Sequence, residues 1–209
     1  MNPHSSQYHY APPVSQMIIE GMQEIIGRPG VCAVFNLANL TSLSLPNRME
    51  DFREDLSFDK ISAIQTALEK IYGARSGRGM VLRSGRAAFK FLQQQSSNIL
   101  GLALLEYRLL PTQTRIKKGL EAIAKLLSGP ETGQIQVLED SQAWIWHVEK
   151  CAWCWERNEQ ANICHFTVGM LEEYSFWASA GKIYCIEEIE CQASGSPACL
   201  FRIDKKALD

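Results

Sequence analysis

The sequence has no apolar run that approaches the roughly 18 residues needed to span a membrane. It also has little net charge, because 21 basic residues stand against 23 acidic ones and the sequence pI is about 6.1. Direct binding to nucleic acid is therefore not expected. Hydrophobic residues make up 46% of the 209 residues, which excludes disorder for the bulk of the chain and suffices for one domain with a core.

The N-terminal segment MNPHSSQYHYAPP lacks the basic start and apolar stretch of a secretory signal. Its polar residues and prolines predict a flexible tail over residues 1–13, followed by a single domain over residues 14–209. The expected compartment is the cytoplasm, where thiols stay reduced and structural disulfides are rare. Clustered cysteines then indicate metal binding before disulfides. Six of the seven cysteines lie in the last third of the chain: Cys151, Cys154, Cys164, Cys185, Cys191 and Cys199.

Apolar residues recur at helical spacing through most of the chain, and a two-residue alternation appears after residue 133. Helices are predicted over residues 14–27, 60–72, 81–96, 98–110, 113–128 and 163–178, and residues 31–40 form an apolar element of undetermined type. Strands are predicted in GQIQVLED, QAWIWHVEK, 182–190 and 198–204. The predicted fold class is α+β, with N-terminal helices packed on a small antiparallel sheet made of two β-hairpins separated by a helix.

Three cysteines and one glutamate are placed to meet at one point. Cys164 opens the last predicted helix, whereas Cys191 ends a strand and Cys199 begins its hairpin partner. Glu188 reaches the same point if its strand bends. Three thiolates and one carboxylate form a closed four-coordinate shell that suits tetrahedral Zn²⁺ and leaves no position for a catalytic water. The alternative is that these cysteines are small buried apolar residues without a metal.

Cys151 and Cys154 form a C-x-x-C motif with three open interpretations. They are a second pair of metal ligands, a redox dithiol, or two loop thiols beside tryptophans. A thioredoxin-like dithiol requires a βαβ setting, which the predicted elements do not provide.

Four arginines and four glycines alternate over residues 73–86. A glycine-rich loop before a helix can bind phosphate through its backbone N–H groups. However, no P-loop motif is present, and the G-x-G of Gly77 and Gly79 lacks a preceding strand and a third glycine. A solvated surface or a dimer contact is the favoured interpretation.

The C-terminal segment CHFTVGMLEEYSFWASAGKIYCIEEIECQASGSPACLFRI carries a spaced pattern of cysteines, glycines and glutamates. This segment resembles the 4-vinyl-reductase-type (hydrocarbon-binding) domain, a module that binds small molecules. The segments IYGARSGRGMVLRSGRAAFKFL and RLLP…GL are similar to the same family, so the resemblance covers most of the chain. The matching residues are Cys164, Gly169, Glu172, Gly181, Glu188, Cys191, Gly195, Pro197, Cys199 and Phe201.

The resemblance implies a fold shared with haem-NO-binding and Golgi-tethering domains and with the sensor domains of aromatic-responsive transcriptional activators. In those activator sensors a structural zinc is held by Cys, Glu, Cys and Cys. The ligands implied here are Cys164, Glu188, Cys191 and Cys199. The CAWC motif at residues 151–154 lies outside that pattern, either as an addition or as a competitor for the ion.

All five tryptophans lie between residues 144 and 177. Trp144 and Trp146 share one face of a predicted strand, where they fill the core or line a pocket for an apolar or aromatic ligand. The resemblance favours the pocket, because the activator sensors place a Trp of the equivalent strand beside their ligand. Phe166, Val168 and Ile186 are further pocket candidates. The histidine with which those sensors hold a phenol hydroxyl has no clear counterpart.

The predicted function is a zinc-stabilised binding module for a hydrophobic or aromatic small molecule, acting as a sensor or carrier. The expected form is a homodimer that works with a separate regulatory protein. One alternative is handling of a tetrapyrrole, a bacteriochlorophyll precursor, as a vinyl reductase or its accessory. Catalysis by this chain alone is not expected, since the sequence has neither a nicotinamide fingerprint nor an iron–sulfur cysteine series. The other alternative is a dimeric scaffold without a ligand.

Overall fold

The computed structural model describes residues 6–96 and 105–208. Its helices follow the predicted periodicity closely, although the predicted helix over 98–110 lies mostly outside the described residues. The helices are α1 (Pro12–Leu37), α2 (Phe58–Tyr72), α3 (Ala74–Ser96), α4 (Leu105–Arg108), α5 (Thr112–Leu127) and α6 (His165–Ala178). None of them, within the described part of the chain, is long and apolar enough to cross a bilayer.

Helix α1 contains a kink at Gly27. The first helical segment therefore ends at this glycine as predicted, and a second helical segment follows it to Leu37. Gly27 has φ 70° and ψ 165°, a conformation that suits glycine, and Pro29 follows in the next helical turn. The apolar element predicted over residues 31–40 is thus mainly the second half of α1, which buries Val31, Val34 and Phe35.

The α+β prediction is confirmed. Four strands form one antiparallel sheet: β3 (Ile135–Glu139), β4 (Ala143–Val148), β5 (Tyr184–Glu190) and β6 (Cys199–Ala207). Their order in the sheet is β3-β4-β6-β5. The predicted hairpins are β3–β4 and β5–β6, joined through antiparallel pairing of β4 with β6. In this register Val148 at the end of β4 pairs with Cys199 at the start of β6. The segment that follows β4 therefore lies next to the beginning of β6.

A second sheet has two strands, and one of them lies in the segment that the sequence predicts to be a flexible tail. Strand β1 (His9–Tyr10) pairs antiparallel with β2 (Leu56–Ser57), which immediately precedes α2. Tyr10 is buried, and the Ser15 hydroxyl donates a hydrogen bond of 2.8 Å to its carbonyl oxygen. Residues 9–13 therefore belong to the packed structure, whereas residues 1–5 lie outside the described residues.

Helices α3 and α6 approach closely where each carries a glycine. A Cβ added at Gly85 would clash with the carbonyl oxygen of Phe166, and one added at Gly169 would clash with that of Leu82. Gly77 likewise lies against the backbone of α2, and both Gly77 and Gly79 are inside α3 rather than in a loop. Gly77, Gly79 and Gly85 therefore belong to a helix and do not form a phosphate-binding loop.

Candidate metal centre and adjoining cavity

The four predicted ligands meet at one end of the sheet. Ligand atoms of Cys164, Glu188, Cys191 and Cys199 all lie within 4.8 Å of one another. Cys164 immediately precedes α6, and its backbone N–H donates a hydrogen bond of 2.8 Å to Glu188 Oε2. The strand irregularity that Glu188 needs is present, since the register of β5 against β6 shifts between Glu188 and Glu190. The bend therefore turns the carboxylate toward the thiols.

The CAWC motif joins the same cluster, a placement that the sequence left open. It follows β4 and forms a short 3₁₀ turn over Ala152–Cys154. Cys151 Sγ lies 3.4 Å from Cys164 Sγ, and Cys154 Sγ lies 3.4 Å from Cys199 Sγ. Cys151, Cys154, Cys164 and Cys199 form a second set of four ligand atoms within 4.8 Å of one another. We refer to the five cysteines (these four and Cys191) together with Glu188 as the thiol cluster.

Gln192 links the CAWC segment to the segment between β5 and β6. Its side-chain oxygen accepts a hydrogen bond of 3.0 Å from the backbone N–H of Cys151. Its side-chain nitrogen donates to the carbonyl oxygens of Glu149 and Pro197, at 3.0 and 3.1 Å. The backbone N–H of Gln192 also points to Cys199 Sγ at 3.3 Å. One side chain thus fixes the CAWC turn onto the β5–β6 hairpin.

The cluster is buried and strongly perturbs ionisation. Its five cysteines are at most 2% exposed. Burial and the neighbouring Cys191 raise the pKa of Glu188 to about 8, although the Cys164 N–H opposes the shift. The pKa of Cys151 is lowered, and the largest cause is a hydrogen bond with Cys154. Burial, in contrast, raises the pKa of Cys164 well above its usual value. Protons shared among close thiols are those that a divalent cation displaces when it binds.

The donor set fits a thiophilic metal such as Zn²⁺. Four sulfurs at about 2.3 Å from a tetrahedral Zn²⁺ lie about 3.8 Å apart. The cluster contains sulfur pairs at 3.8 Å (Cys164 to Cys191) and 3.9 Å (Cys164 to Cys199), close to that spacing. Glu188 Oε1 is buried and has no hydrogen-bond partner among the described residues, which leaves it open for coordination. Sulfur donors disfavour Mg²⁺ and Ca²⁺.

An apolar cavity adjoins the thiol cluster. Its volume is about 30 Å³, room for about two water-sized groups. Cys151 belongs both to its wall and to the cluster, so the two sites share a boundary. The aromatic residues of the wall are Tyr10, Trp146, Trp153 and Phe166, and its flexible apolar residues include Met17 and Met170.

The predicted pocket residues divide into two groups. Trp146 and Phe166 line the cavity, whereas Trp144, Val168 and Ile186 are buried without lining it. Trp144 lies toward the other end of β4, with the Lys205 ammonium 5.5 Å from the centre of its ring. A ligand role for these three residues stays a prediction.

Two parts of the wall were not predicted from the sequence. Tyr10 had been assigned to the tail, although its aromatic ring is a signal of burial. Trp153 lies inside CAWC and stacks on Phe166, with ring centroids 4.1 Å apart and planes 17° from parallel. The two tryptophans that flank Cys154 were visible in the sequence, but only the β4–β6 pairing places Trp153 at the cavity.

Two of the four arginines in this segment, Arg78 and Arg86, form ion pairs with neighbouring helices. Arg86 binds Glu172 of α6, with its Nη2 at 2.8 Å from Oε2. Arg78 lies 3.8 Å from Glu69 of α2, which also binds Arg157 at 2.8 Å. Arg78 and Arg86 therefore tie α3 to α2 and to α6.

No protein-family profile matches the sequence, and no curated protein matches it. Solved structures do match. A Cs H-NOX mutant with 4-cyano-L-phenylalanine is 12% identical with a TM-score of 0.61, covering 95% of this chain and 98% of that one. A Tt H-NOX double mutant is 11% identical with a TM-score of 0.60 and 96% coverage of both chains.

A third match is a structure described for modulation of haem redox potential through protein-induced porphyrin distortion. It is 14% identical with a TM-score of 0.54, covering 94% of this chain and 95% of that one. The three likenesses extend over nearly the whole of each chain and include the helices as well as the sheet. The chain therefore has the H-NOX fold.

Proposed function

We propose that this chain is a binding module for a hydrophobic or aromatic small molecule, acting as a sensor or carrier in the cytoplasm. In this proposal Zn²⁺, held by Cys164, Glu188, Cys191 and Cys199, stabilises the wall of the binding site. The spacing Glu188-x-x-Cys191-x7-Cys199 supports a relation to the 4-vinyl-reductase-type domains. A separate regulatory protein would read the bound state, and the module would act as a homodimer.

The observation that carries the proposal is the aromatic cavity that shares Cys151 with the thiol cluster. Trp146 lines this cavity and is fully buried, and its indole N–H has no hydrogen-bond partner among the described residues. A buried donor without a partner is unfavourable by about 1 to 3 kcal/mol. A ligand with an aromatic body would complement the apolar wall, and an oxygen acceptor within reach of the indole nitrogen would satisfy this N–H.

The cavity has to enlarge for such a ligand, and its wall contains side chains suited to that. Met17 and Met170 have unbranched, flexible side chains that repack readily. Trp153 is stacked on Phe166, so an aromatic ligand that displaced the indole would find a ring surface already exposed for stacking. Binding would then exchange one stacked ring for another.

The described residues do not fit haem, which is named for one of the similar structures. Haem iron needs an axial ligand such as His, Cys, Met or Tyr, and a cavity far larger than 30 Å³. The histidines among the described residues are His9, His147 and His165, and none of them lines the cavity. The cysteine in the wall, Cys151, is already engaged in the thiol cluster. Tyr10, Met17 and Met170 also belong to the wall, but the space that the wall encloses is about 30 Å³, far too small for haem beside them. The proposal therefore assigns no haem to this site.

A scaffold without a ligand is the second candidate, and the small cavity is the observation that favours it. An interior filled by Trp146, Trp153 and Phe166 is what a purely structural domain would have. The two functions differ in one measurable property: a scaffold gains no stability from apolar solutes, whereas a binding module does.

The test is isothermal titration of the zinc-loaded full chain with toluene, phenol and naphthalene. We expect saturable binding of at least one of these probes and a rise in melting temperature at saturation. Trp146→Ala should weaken binding by at least tenfold and leave the zinc content unchanged. Trp144→Ala is the matched comparison, because Trp144 is a buried tryptophan of the same strand that does not line the cavity, and unchanged affinity in it would remove Trp144 from the predicted pocket.

Equal affinity of the wild type and the Trp146 variant would place the ligand elsewhere. Absence of binding by all three probes, with zinc bound, would favour the scaffold. A visible absorption spectrum of the purified chain adds a third readout, because a retained tetrapyrrole would absorb there and would favour the tetrapyrrole-handling alternative.

A further inference from the structure

The thiol cluster contains more donors than one tetrahedral ion can use. Six side chains contribute to it, and they form two sets of four. Cys164 and Cys199 are common to both sets. Cys151 and Cys154 complete the first set, and Glu188 and Cys191 complete the second. Two tetrahedra that share one edge require this inventory: two common donors and two further donors at each end.

The chemical nature of the shared donors suits such an arrangement. A thiolate sulfur has enough lone pairs to bind two metal ions at once, and both shared donors are cysteines. Their Sγ atoms are 3.9 Å apart, close to the roughly 3.8 Å edge of a ZnS₄ tetrahedron. Glu188, the one oxygen donor, belongs only to the second set, where it serves as a terminal ligand.

A single ion leaves part of this buried cluster uncoordinated, whichever set of four holds it. Coordination by the first set leaves Glu188 Oε1 buried and unpartnered. Coordination by the second set leaves Cys151 and Cys154 with their sulfurs 3.4 Å from ligand sulfurs and almost no exposure to solvent. Buried polar and ionisable groups are unfavourable unless they are paired or bound to a metal.

The same geometry favours metal binding by CAWC over the redox-dithiol interpretation. A reactive dithiol needs an exposed attacking thiol, whereas Cys151 and Cys154 are each 2% exposed. Each also makes its short sulfur contact with a cysteine of the predicted zinc shell. The motif therefore faces the metal centre rather than solvent.

We propose that the cluster is a two-ion, thiolate-bridged metal centre in which CAWC supplies the second site. One ion is held by Cys151, Cys154, Cys164 and Cys199, and the other by Cys164, Glu188, Cys191 and Cys199. The second of these is the zinc site of the proposed function, so the inference rests on that proposal. The metals expected are Zn²⁺ or another thiophilic divalent ion.

The test counts metal ions in the full chain, by native mass spectrometry after loading with Zn²⁺ and removal of excess metal. The wild type should bind two ions per chain. Cys154→Ser should bind one, because only the first site loses a ligand that is not shared. Glu188→Gln should also bind one. Cys32→Ser and Cys185→Ser are matched controls, since these two cysteines lie outside both sets. Both control variants should still bind two ions per chain.

The outcomes separate the inference from the proposed function. One ion in the wild type that survives Cys154→Ser and is lost in Cys191→Ser would overturn the second site and leave the predicted zinc shell intact. One ion that is lost in Cys154→Ser and survives Cys191→Ser would overturn both. No ion in the wild type would also overturn both.

A measurement on the wild type alone covers the case in which a variant does not fold. Stepwise titration with Co²⁺ should give thiolate-to-metal absorption that rises until two ions are bound. The electron paramagnetic resonance signal per cobalt should then fall, because bridging sulfurs couple the two spins. Saturation at one cobalt with an undiminished signal would contradict a bridged pair.

Discussion

Gly169→Ala should loosen the contact that positions α6, the helix that begins next to Cys164. A Cβ at residue 169 would lie 2.9 Å from the carbonyl carbon of Leu82 and closer still to its oxygen. Ordinary contacts of a Cβ atom begin at about 3.4 Å, and the obstacle here is backbone of α3 rather than a flexible side chain. The helices must therefore separate, which displaces the metal end of α6.

The expected magnitude follows from this clash. Overpacking of a close contact costs about 1 to 3 kcal/mol, and a backbone obstacle places this case near the upper end, at about 3 kcal/mol. For a chain of this size that corresponds to a fall in melting temperature of roughly 6 to 12 °C. The matched control is Gly79→Ala, in α3, where a Cβ would have no atom within 4 Å. Better helix propensity should stabilise that variant by up to about 1 kcal/mol.

The assay is urea unfolding of both variants, followed by tryptophan fluorescence, together with a competition measurement of zinc affinity. Gly169→Ala should be less stable than the wild type and bind zinc more weakly, whereas Gly79→Ala should be at least as stable and bind zinc normally. Equal stability of Gly169→Ala and the wild type would refute the close approach of α3 and α6.

Two further predictions concern the polar contacts between helices. Tyr174→Phe should destabilise the fold by about 1 to 3 kcal/mol in urea unfolding, because the Ile116 carbonyl would lose a buried 2.6 Å hydrogen bond; an unchanged midpoint would contradict this. Burial raises the pKa of Glu69, but hydrogen bonds from Arg157 and Gln65 outweigh it, so the pKa is lowered and the stabilisation fades as pH falls below about 4.5. Glu69→Gln should lose stability at pH 7 and show less further loss at pH 4; parallel losses in variant and wild type would argue against the pair.

Much of the fold could be predicted from the sequence because its signals are local. Periods of 3.6 and 2 residues located the helices and both hairpins, and Gly73 ends α2 as expected, with φ 80°. The end of the first helical segment at Gly27 could also be predicted, but the type of the apolar element that follows could not. A short apolar run does not distinguish a helix from a strand, and the structure shows a helix that buries Val31, Val34 and Phe35 in the core.

The candidate site shows the same division between local and non-local information. Cys191 and Cys199 could be placed together from the hairpin alone, and the need for a bend at Glu188 could be stated. The position of CAWC could not, because it depends on β4 pairing with β6, a contact between segments about fifty residues apart. The same pairing decides that Trp146 lines the cavity, whereas Trp144, two residues earlier on the same face, does not.

We propose that this chain, with its H-NOX fold, binds a metal ion through thiols beside an aromatic cavity and binds no haem. The most direct test is a native mass spectrum of the full chain, purified from cells supplied with both zinc and a haem precursor. We expect bound zinc, no haem mass and no Soret band. One haem per chain, with the thiol cluster free of metal, would contradict it.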